Sequence, residues 1–328
     1  MNRQSEAILE NDLIKQLVGL GYQSVVISDG DALVSNLKSQ LEKFNKTTYT
    51  HKEFDNILNH LAKGGVFEKA KTLRDRFSFT RDNEEIEYVQ FYDSENWNNN
   101  LFQVTNQVTQ EGTFKNRYDV TLLVNGFPLV QIELKRRGTE MKEAFNQINR
   151  YQKHSFWSNN GLFQYVQLFV ISNGGNTKYL ANNELQSIKQ TFFWADANNK
   201  NITELDEFAA SFLNPDHLGK MIANYIVINE THKILMVLRP YQYFATEALI
   251  NKVKLYSEAS ASLSLPQKDT SALLSVQQCG TDRGLSGAEV RTPNYFLKLL
   301  PLIFLRSSKS NFLEKMNTPP LIFPFKRT

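Results

Sequence analysis

The chain has almost no cysteine and no long uninterrupted apolar run. Its one cysteine, Cys279, excludes a disulfide framework within the chain, which is typical of proteins in a reducing cytoplasm. The start, MNRQSEAILENDL, is polar and acidic, so no secretory signal is expected. The longest apolar run, Phe296 to Leu305, contains Lys298 and Pro301 and is shorter than the about 20 residues a membrane helix needs. We therefore expect a cytoplasmic protein without a membrane segment.

The sequence also lacks a strong excess of charge of either sign. Its formal net charge is +3 over 328 residues, which permits nucleic-acid binding but does not indicate it. Hydrophobic residues make up 41% and charged residues 22%, which is ordinary for a soluble globular protein. There is no internal repeat, and the length suits roughly two domains.

Hydrophobic periodicity predicts helices first and strands afterwards. Apolar residues recur at helical spacing in three early segments, Ile8–Val18, Leu33–Leu41 and Phe54–Leu61. A later helix is predicted from Thr139, as its N-cap, to about Lys153. The predicted strands are Phe77–Thr80, Ile86–Phe91, Leu101–Val108, Tyr118–Val124, Phe127–Leu134, Tyr165–Ser172 and Ile234–Leu238, and the last predicted helices are Ile202–Leu213, His217–Tyr225 and Tyr241–Val253, opened by Pro240. This order indicates an α/β protein with a mixed central sheet.

Residues 118–135 predict a β-hairpin that turns at Asn125-Gly126. The length of the loop decides which side chains share a face of the sheet. With a two-residue loop, Asp119 would oppose Ile132 and lie among apolar side chains. An ionised carboxylate is costly in such surroundings.

A three-residue loop, Val124–Gly126, gives a more consistent pattern. Asp119 then opposes Gln131 and shares a face with Glu133 and Lys135, while the other face is almost wholly apolar. We predict this second register, because the first one mixes polar and apolar side chains on both faces.

The predicted polar face brings two carboxylates and an ammonium group together, which suits phosphodiester hydrolysis. Oxygens of Asp119 and Glu133 can hold one or two Mg²⁺ ions, which polarise a phosphate and activate water. Lys135 can orient that water or offset charge in the transition state. The alternative is a solvated strand face, because Asp, Glu and Lys are common surface residues.

The helix after the hairpin adds polar groups that can contact phosphate. Gln147 and Tyr151 are four residues apart and so are neighbours on one helix face, with Arg150 close by. Arg136, Arg137 and Arg150 are the candidates for DNA binding within a modestly basic stretch. The alternative is an amphipathic helix with a solvated polar face.

These residues resemble the PD-(D/E)xK nuclease superfamily, in its subgroup with a Gln-x-x-x-Tyr helix. The chain is more closely similar to the N-terminal nuclease domain of the restriction (R) subunit of type I restriction–modification enzymes. The resemblance covers roughly residues 6–252. It is carried by Asn106-Gln107-Val108, Asn116-Arg117-Tyr118-Asp119-Val120-Thr121, Leu129-Val130-Gln131-Ile132-Glu133-Leu134-Lys135-Arg136-Arg137-Gly138, Glu143-Ala144-Phe145-Asn146-Gln147-Ile148-x-Arg150-Tyr151, Phe169-Val170-Ile171-Ser172-Asn173-Gly174 and Val237-Leu238-Arg239-Pro240-Tyr241-Gln242-x-x-Ala245-Thr246-Glu247.

The resemblance implies a restriction-endonuclease-like fold in residues 1–200 and roles for its motif residues. Asp119 and Glu133 would be metal ligands, Lys135 the catalytic lysine, and Gln147 and Tyr151 supporting catalytic residues. An acidic residue on the first helix often completes such a site. Glu10 is the candidate here, although a glutamate in a first turn also serves as plain dipole compensation.

The resemblance further implies double-stranded DNA as substrate, and modification (methyltransferase) and specificity subunits as partners. Residues 201–253 would be a helical connector and the beginning of a superfamily 2 helicase-like motor domain. ATP is a cofactor of the intact family, and Arg239 and Gln242 stand where its motor contacts nucleotide.

The family's phosphate-binding loop does not follow in this sequence, and the pattern is lost after about Leu255. We therefore expect a restriction subunit truncated at the start of its motor. Its tail, 254–328, would be irregular and possibly frameshifted. A catalytically silent DNA-binding or docking fragment, and a stand-alone repair nuclease of the same superfamily, are the alternatives.

Overall fold

The structure is a computed structural model that describes residues 5–111, 115–156 and 158–263. The chain divides into two compact units, 1–243 and 244–328, and the described part of the second is the remainder of the last helix. The helices are α1 (Glu6–Gly19), α2 (Gly30–Asn45), α3 (His51–Leu61), α4 (Val66–Thr72), α5 (Met141–His154), α6 (Leu205–Phe212), α7 (Pro215–Lys220) and α8 (Pro240–Leu263). The strands are β1 (Gln23–Ser24), β2 (Arg76–Thr80), β3 (Ile86–Gln90), β4 (Phe102–Glu111), β5 (Lys115–Val124), β6 (Phe127–Leu134), β7 (Leu168–Ser172), β8 (Thr177–Ala181), β9 (Trp194–Ala195), β10 (Asn201–Ile202), β11 (Ile226–Asn229) and β12 (Ile234–Val237).

Six of these strands form the central sheet, in the order β1-β4-β5-β6-β7-β8. Two pairs, β1–β4 and β6–β7, are parallel, and the other three pairs are antiparallel. The parallel step from β6 to β7 needs a crossover connection, which contains α5. The predicted mixed α/β sheet is therefore confirmed, as are the three predicted helices that precede it.

Helices cover both faces of the central sheet. On one face, the Asn36 amide of α2 donates to Gln103 Oε1 of β4 at 3.0 Å. On the other face, the Tyr118 ring of β5 lies 4.6 Å from the Tyr151 ring of α5 and 4.5 Å from the Phe163 ring. All eight residues of β6 are buried between these layers. Each large apolar side chain buried in this way stabilises the fold by about 1.5–3 kcal/mol.

The β5–β6 hairpin turns through two residues and not through the predicted three. Asn125 and Gly126 have φ angles of 51° and 85°, as a type I′ turn requires. The pairing then shifts between Leu122 and Leu123, so Leu129 is an extra, bulged residue in β6.

The bulge changes the register but keeps the predicted faces. Beyond it, Val120 pairs with Ile132, which sets Asp119 level with Glu133. The predicted pairing of Asp119 with Gln131 was wrong by two residues. Because a two-residue shift returns a side chain to the same face, Asp119 and Glu133 still lie together.

A buried amide anchors the hairpin turn to its surroundings. Asn125 is fully buried, and its Oδ1 accepts from the Leu101 N–H at 2.8 Å. Its Nδ2 donates to the Phe91 carbonyl at 3.0 Å and to Asn100 Oδ1 at 2.7 Å. A buried amide with these partners is satisfied, so the turn is held firmly despite its positive φ angles.

The start of α5 differs from the prediction. Glu140 is its N-cap, whereas Thr139 was predicted. The Thr139 N–H donates to the Arg136 carbonyl at 3.1 Å, which keeps Thr139 in the preceding turn. Gly138, with a φ of 92°, lies within this turn. Turn geometry therefore sets the beginning of the helix one residue later.

The last described helix is longer than predicted. α8 begins at Pro240 as expected but continues ten residues past Val253 to Leu263. The prediction of an irregular tail was therefore wrong for residues 254–263, and the rest of it, 264–328, lies outside the described residues. Among the helices of the described ranges, none has the length and apolar character needed to cross a membrane.

The predicted strand Tyr165–Ser172 was too long at its start. β7 begins at Leu168, and Tyr165 ends a 3₁₀ segment instead. α4 and β8 were not predicted, because seven and five residues give little periodicity to read.

We expect Gly126→Ala to lower the free energy of unfolding by about 2–4 kcal/mol. A Cβ atom on Gly126 would lie 2.7 Å from Leu37 Cα, and its φ of 85° is unfavourable for alanine. Gly138→Ala is the matched control, because φ is 92° there and nothing lies within 4 Å of the added atom. That control should cost only about 1 kcal/mol in urea unfolding. Equal losses for the two variants would contradict the close approach of α2 to the turn.

Candidate active site

Asp119 and Glu133 lie on neighbouring strands at the place where those strands separate. The β5–β6 ladder ends there at the pair Val120–Ile132. Beyond this pair, the Leu134 N–H donates to Asp119 Oδ2 at 2.8 Å. The carboxylate of Asp119 is thereby held in the fork between the two strands.

The Asp119 carboxyl is in surroundings that disfavour its charge. Burial raises its pKa above the usual value, while the N–H of Leu134 and the charge of Lys135 oppose that rise. Nearby negative charges on Glu10 and Glu6 raise it further. The charge of Asp119 is therefore influenced by Glu6 and Glu10 of α1 and by Lys135 at the end of β6.

Glu133 is the most deeply buried acid of the site, with no exposed surface. Burial, followed by the negative charge of Asp119, raises its pKa to about 8, against the opposing effects of Lys135 and Tyr151. Its Oε1 accepts from Lys135 Nζ at 2.7 Å. Its Oε2 is buried, and no group of the described residues meets the distance and angle of a hydrogen bond to it, although the Tyr151 phenol is near enough to lower the pKa of Glu133. A buried carboxylate oxygen without a partner is costly, so this atom is poised for a donor or a cation.

Lys135 directs its ammonium group back toward the carboxylates. Besides Glu133, it donates to the Leu134 carbonyl at 3.1 Å. Its own N–H donates to the Ser172 carbonyl of β7 at 2.8 Å, which fixes the backbone at the end of β6. Burial lowers the pKa of Lys135, but attraction to Glu133 and Asp119 outweighs it, so the pKa is raised. The lysine is therefore charged.

Gln147 and Tyr151 of α5 meet each other at the edge of this site. Gln147 Nε2 donates to the Tyr151 hydroxyl, which in turn donates to the Arg117 carbonyl of β5 at 3.0 Å. Burial, followed by the charge of Glu133, raises the pKa of Tyr151. The phenol is thus a neutral hydrogen-bonding group near Glu133, and Gln147 acts through it.

Glu10 lies beside the site with both carboxylate oxygens accepting hydrogen bonds, and its role as a metal ligand stays a prediction. It is 8% exposed, and its two oxygens accept from Asn106 Nδ2 and Gln107 Nε2, each at 2.5 Å. In the part of the chain that the structure describes, no three His, Cys, Asp or Glu side chains form a group that could hold a metal ion. The structure thus unites Asp119 with Glu133, and leaves Glu10 beside them.

The predicted DNA-binding arginines have different surroundings. Arg137 forms an ion pair with Glu204 at 2.8 Å, with both side chains about half exposed. Arg150 is exposed and lies over the Tyr151 ring at 5.6 Å. Arg136 is exposed, and its backbone N–H donates to a Glu6 oxygen at 3.2 Å. Arg136 and Arg150 therefore have no carboxylate partner among the described ion pairs, unlike Arg137.

The predicted nucleotide-binding residues form the beginning of α8. The Arg239 N–H donates to Gln242 Oε1 at 3.0 Å, which is the contact a capping box makes. The Arg239 guanidinium lies 4.6 Å from the centre of the Phe192 ring. Both residues therefore stabilise the beginning of α8. Nucleotide binding by Arg239 and Gln242 stays a prediction.

Four residues near the site were given no role in the sequence reasoning. Glu6 contributes charge, Arg117 is an exposed cation two residues from Asp119, and Asn106 and Gln107 hold Glu10. Asn106-Gln107 stood within the family resemblance, which was the available signal. Arg117 also stood within it, in the stretch Asn116 to Thr121, whereas Glu6 lies in none of the matching stretches.

Comparison of the sequence with known proteins identifies the family of the chain. Residues 3–187, more than half of the chain, match the family described as type I restriction enzyme R protein N terminus. The chain is 47% identical over 258 residues to the type I restriction enzyme SauMSSORF170P endonuclease subunit of Staphylococcus aureus (strain MSSA476), covering 77% of this chain and 27% of that protein. It is 42% identical over 260 residues to the type I restriction enzyme EcoprrI endonuclease subunit of Escherichia coli, covering 76% of this chain and 83% of that protein.

A more distant relative extends the same pattern. The putative type I restriction enzyme MjaVIIIP endonuclease subunit of Methanocaldococcus jannaschii is 25% identical over 273 residues, covering 76% of this chain and 26% of that protein. The chain thus spans about a quarter of the length of the staphylococcal and archaeal relatives. The family match and these identities agree: the chain belongs to the type I restriction enzyme R protein family and carries its N-terminal region.

Proposed function

We propose that this chain is a Mg²⁺-dependent DNA endonuclease domain with a PD-(D/E)xK fold, acting as part of a type I restriction subunit. One observation carries the proposal. Asp119 and Glu133 lie level on adjacent strands, and Lys135 Nζ is 2.7 Å from Glu133 Oε1. Glu133 Oε2 is buried and has no hydrogen-bond partner within the described ranges of the chain. Two carboxylates and one ammonium group are the functional groups that such hydrolysis uses. The relatives' names, endonuclease subunits of restriction enzymes, support it.

The residues of this site fit a magnesium ion. Mg²⁺ is usually bound through one or two carboxylates and keeps several waters, so a third acid is not required. Asp119 Oδ2 accepts from the Leu134 N–H, while Glu133 Oε2 accepts no hydrogen bond from any residue that the structure describes. A divalent cation would satisfy that buried oxygen and offset the repulsion between the two acids.

Each side chain then has a defined part in the reaction. Bound Mg²⁺ would polarise the scissile phosphate and lower the pKa of water. Asp119 and Glu133 hold the cation, and the strand fork orients Asp119. Lys135 remains protonated and offsets negative charge that develops on the phosphate. Tyr151, held by Gln147, offers a neutral hydroxyl at the edge of the site.

Double-stranded DNA is the proposed substrate, and the modification and specificity subunits of a type I complex are the proposed partners. Both proposals rest on family membership. ATP belongs to the motor of the intact family, and residues 201–253 are proposed as its connector and beginning. A cytoplasmic location, expected from the single cysteine, stays a prediction.

We expect this chain to nick supercoiled plasmid weakly with Mg²⁺, with ATP and without it. Asp119→Ala and Lys135→Ala should each reduce nicking ~100-fold or more, because each removes a charged group of the site. The matched control is Asp55→Ala, an exposed acid of α3, which should cut like the wild type. Agarose-gel assays of nicked circles measure the rates. Unchanged cutting by both site variants would show that the chain does not cleave through this site and would favour a silent docking fragment.

We expect the metal-free protein to lose stability as pH rises from about 4.5 to about 8. The pKa of Glu133 is raised to about 8 in the fold from an ordinary 4.5, so the folded state binds this proton more tightly than the unfolded state. Glu133→Gln removes the titrating carboxyl group, so the variant does not show this loss of stability with rising pH. Its stability relative to the wild type should therefore increase with pH across this window, by on the order of 2 kcal/mol.

Urea unfolding in EDTA at several pH values measures this difference. Glu143→Gln, at an exposed acid of α5, is the matched control and should show no such trend. A constant difference between Glu133→Gln and the wild type would mean that Glu133 is not held in a charge-disfavouring site.

We expect exposed arginines of the site to contact DNA phosphates. Arg136→Ala and Arg150→Ala should weaken duplex binding and each reduce the salt dependence of the logarithm of the binding constant by about 0.9. Arg137→Ala should have less effect, because its guanidinium is paired with Glu204. Fluorescence anisotropy of a labelled duplex in Ca²⁺, at several salt concentrations, measures the slopes. An effect of Arg137→Ala as large as the other two would show that the Glu204 pair opens on DNA.

A further inference from the structure

Three oxygen-bearing side chains stand at one level across adjacent strands. Asn106 pairs with Val120 and Val108 pairs with Tyr118, so position 107 of β4 lies opposite position 119 of β5. Asp119 in turn lies level with Glu133 of β6. The registers therefore set positions 107, 119 and 133 at one level, in a row across three adjacent strands.

The backbone at Gln107 is unusual for the middle of a strand. Its φ is 56°, a left-handed value that favours glycine. The pair between Gln107 and Asp119 is missing from the ladder, although its neighbours on both sides pair normally. Such a conformation costs about 1–2 kcal/mol in a residue with a side chain. Strain of this kind persists where the surroundings impose it, and it concentrates at functional sites.

Glu10 determines how the Gln107 amide is oriented. A carboxylate can only accept hydrogen bonds, so the NH₂ group of Gln107 must face it. Nε2 of Gln107 donates to Glu10 Oε2 at 2.5 Å, and Asn106 Nδ2 donates to Glu10 Oε1 at 2.5 Å. The amide oxygen, Gln107 Oε1, is then directed away from Glu10.

Two oxygens, on the strands that flank Asp119, lack a partner among the residues that the structure describes. Gln107 Oε1 and Glu133 Oε2 are both buried, and neither accepts a hydrogen bond from these residues. Each such oxygen costs about 1–3 kcal/mol if nothing satisfies it. A hard cation between the strands would satisfy both, because Mg²⁺ prefers oxygen ligands.

We propose that Gln107 supplies the third protein oxygen of the divalent-cation site, and that Glu10 positions the Gln107 amide and does not bind the cation. This inference rests on the proposed function, whose site it completes. It assigns Gln107 a direct part in metal binding, and Glu10 and Asn106 an indirect one.

Calorimetric titration of the full chain with Mg²⁺ tests the proposal without reference to cleavage. Gln107→Ala should weaken Mg²⁺ binding by about 10–100-fold. The double variant Glu10→Gln with Gln107→Glu should strengthen it, because the amide at position 10 then donates to the carboxylate at position 107, whose other oxygen adds charge at the cation. Glu10→Gln should weaken it, because its new NH₂ group can donate to Gln107 Oε1 and turn that amide. Gln103→Ala is the matched control, since Gln103 is a buried amide on β4 that pairs with Asn36, and it should bind Mg²⁺ like the wild type.

Asp119→Asn distinguishes a wrong role for Gln107 from a wrong cation site. If it abolishes Mg²⁺ binding while Gln107→Ala binds like the wild type, the role of Gln107 is wrong and the proposed function stands. If Asp119→Asn also binds like the wild type, the cation site itself is wrong. If circular dichroism shows that Gln107→Ala is unfolded, the double variant Glu10→Gln with Gln107→Glu decides: tighter binding supports the proposal, and equal or weaker binding overturns it.

Discussion

The extra residue Leu129 in β6 sets the register on which the site depends. The type I′ turn alone would place Asp119 opposite Ile132, with Glu133 on the other face of the sheet. The bulge advances β6 by one residue, so that two acids share a face and a level. The alignment of β5 with β6 costs little free energy by itself, but it confines the carboxyl groups of Asp119 and Glu133 to one buried place. Burial, followed by the negative charge of Asp119, raises the pKa of Glu133, and one oxygen of Glu133 has no hydrogen-bond partner in the part of the chain that the structure describes. The chemistry proposed for the site follows from this confinement.

The faces of the hairpin could be predicted from sequence, and its register could not. Alternation of polar and apolar side chains indicates which residues lie together, because strand periodicity is two. Registers that differ by two residues give the same alternation, so a wrong loop length still led to the right face. The bulge at Leu129 left no signal, since it falls within an apolar run, Phe127–Val130. Element boundaries were missed for a similar reason, because hydrogen bonds in a turn moved the beginning of α5 to Met141.

The charged surroundings of the site lay beyond the reach of sequence. Glu10 and Gln107 are separated by 97 positions, and only the packing of α1 against β4 brings them together. Arg137 pairs with Glu204, which is 67 positions away in sequence. The sequence motif that contains Arg137 therefore gave no indication that its guanidinium has a carboxylate partner. Motif spacing recognises side chains that lie near one another along the chain. It cannot report which residues far away in sequence form hydrogen bonds with the motif side chains. At this site, those hydrogen bonds determine which oxygen atoms remain available to bind a ligand.

The burial of β6 has a consequence for how the site can be lost. Its eight residues are all buried, and it is hydrogen-bonded to β5 on one side and to β7 on the other. Amides of such a central strand exchange with solvent mainly through global unfolding, whereas edges and loops open locally. Glu133 is therefore carried by a strand that does not fray independently, while Asp119 lies just beyond the last β5–β6 pair and is held there by the Leu134 N–H. Fluctuations confined to the edges of the sheet leave Glu133 in place, so the position of this acid persists for as long as the sheet is folded.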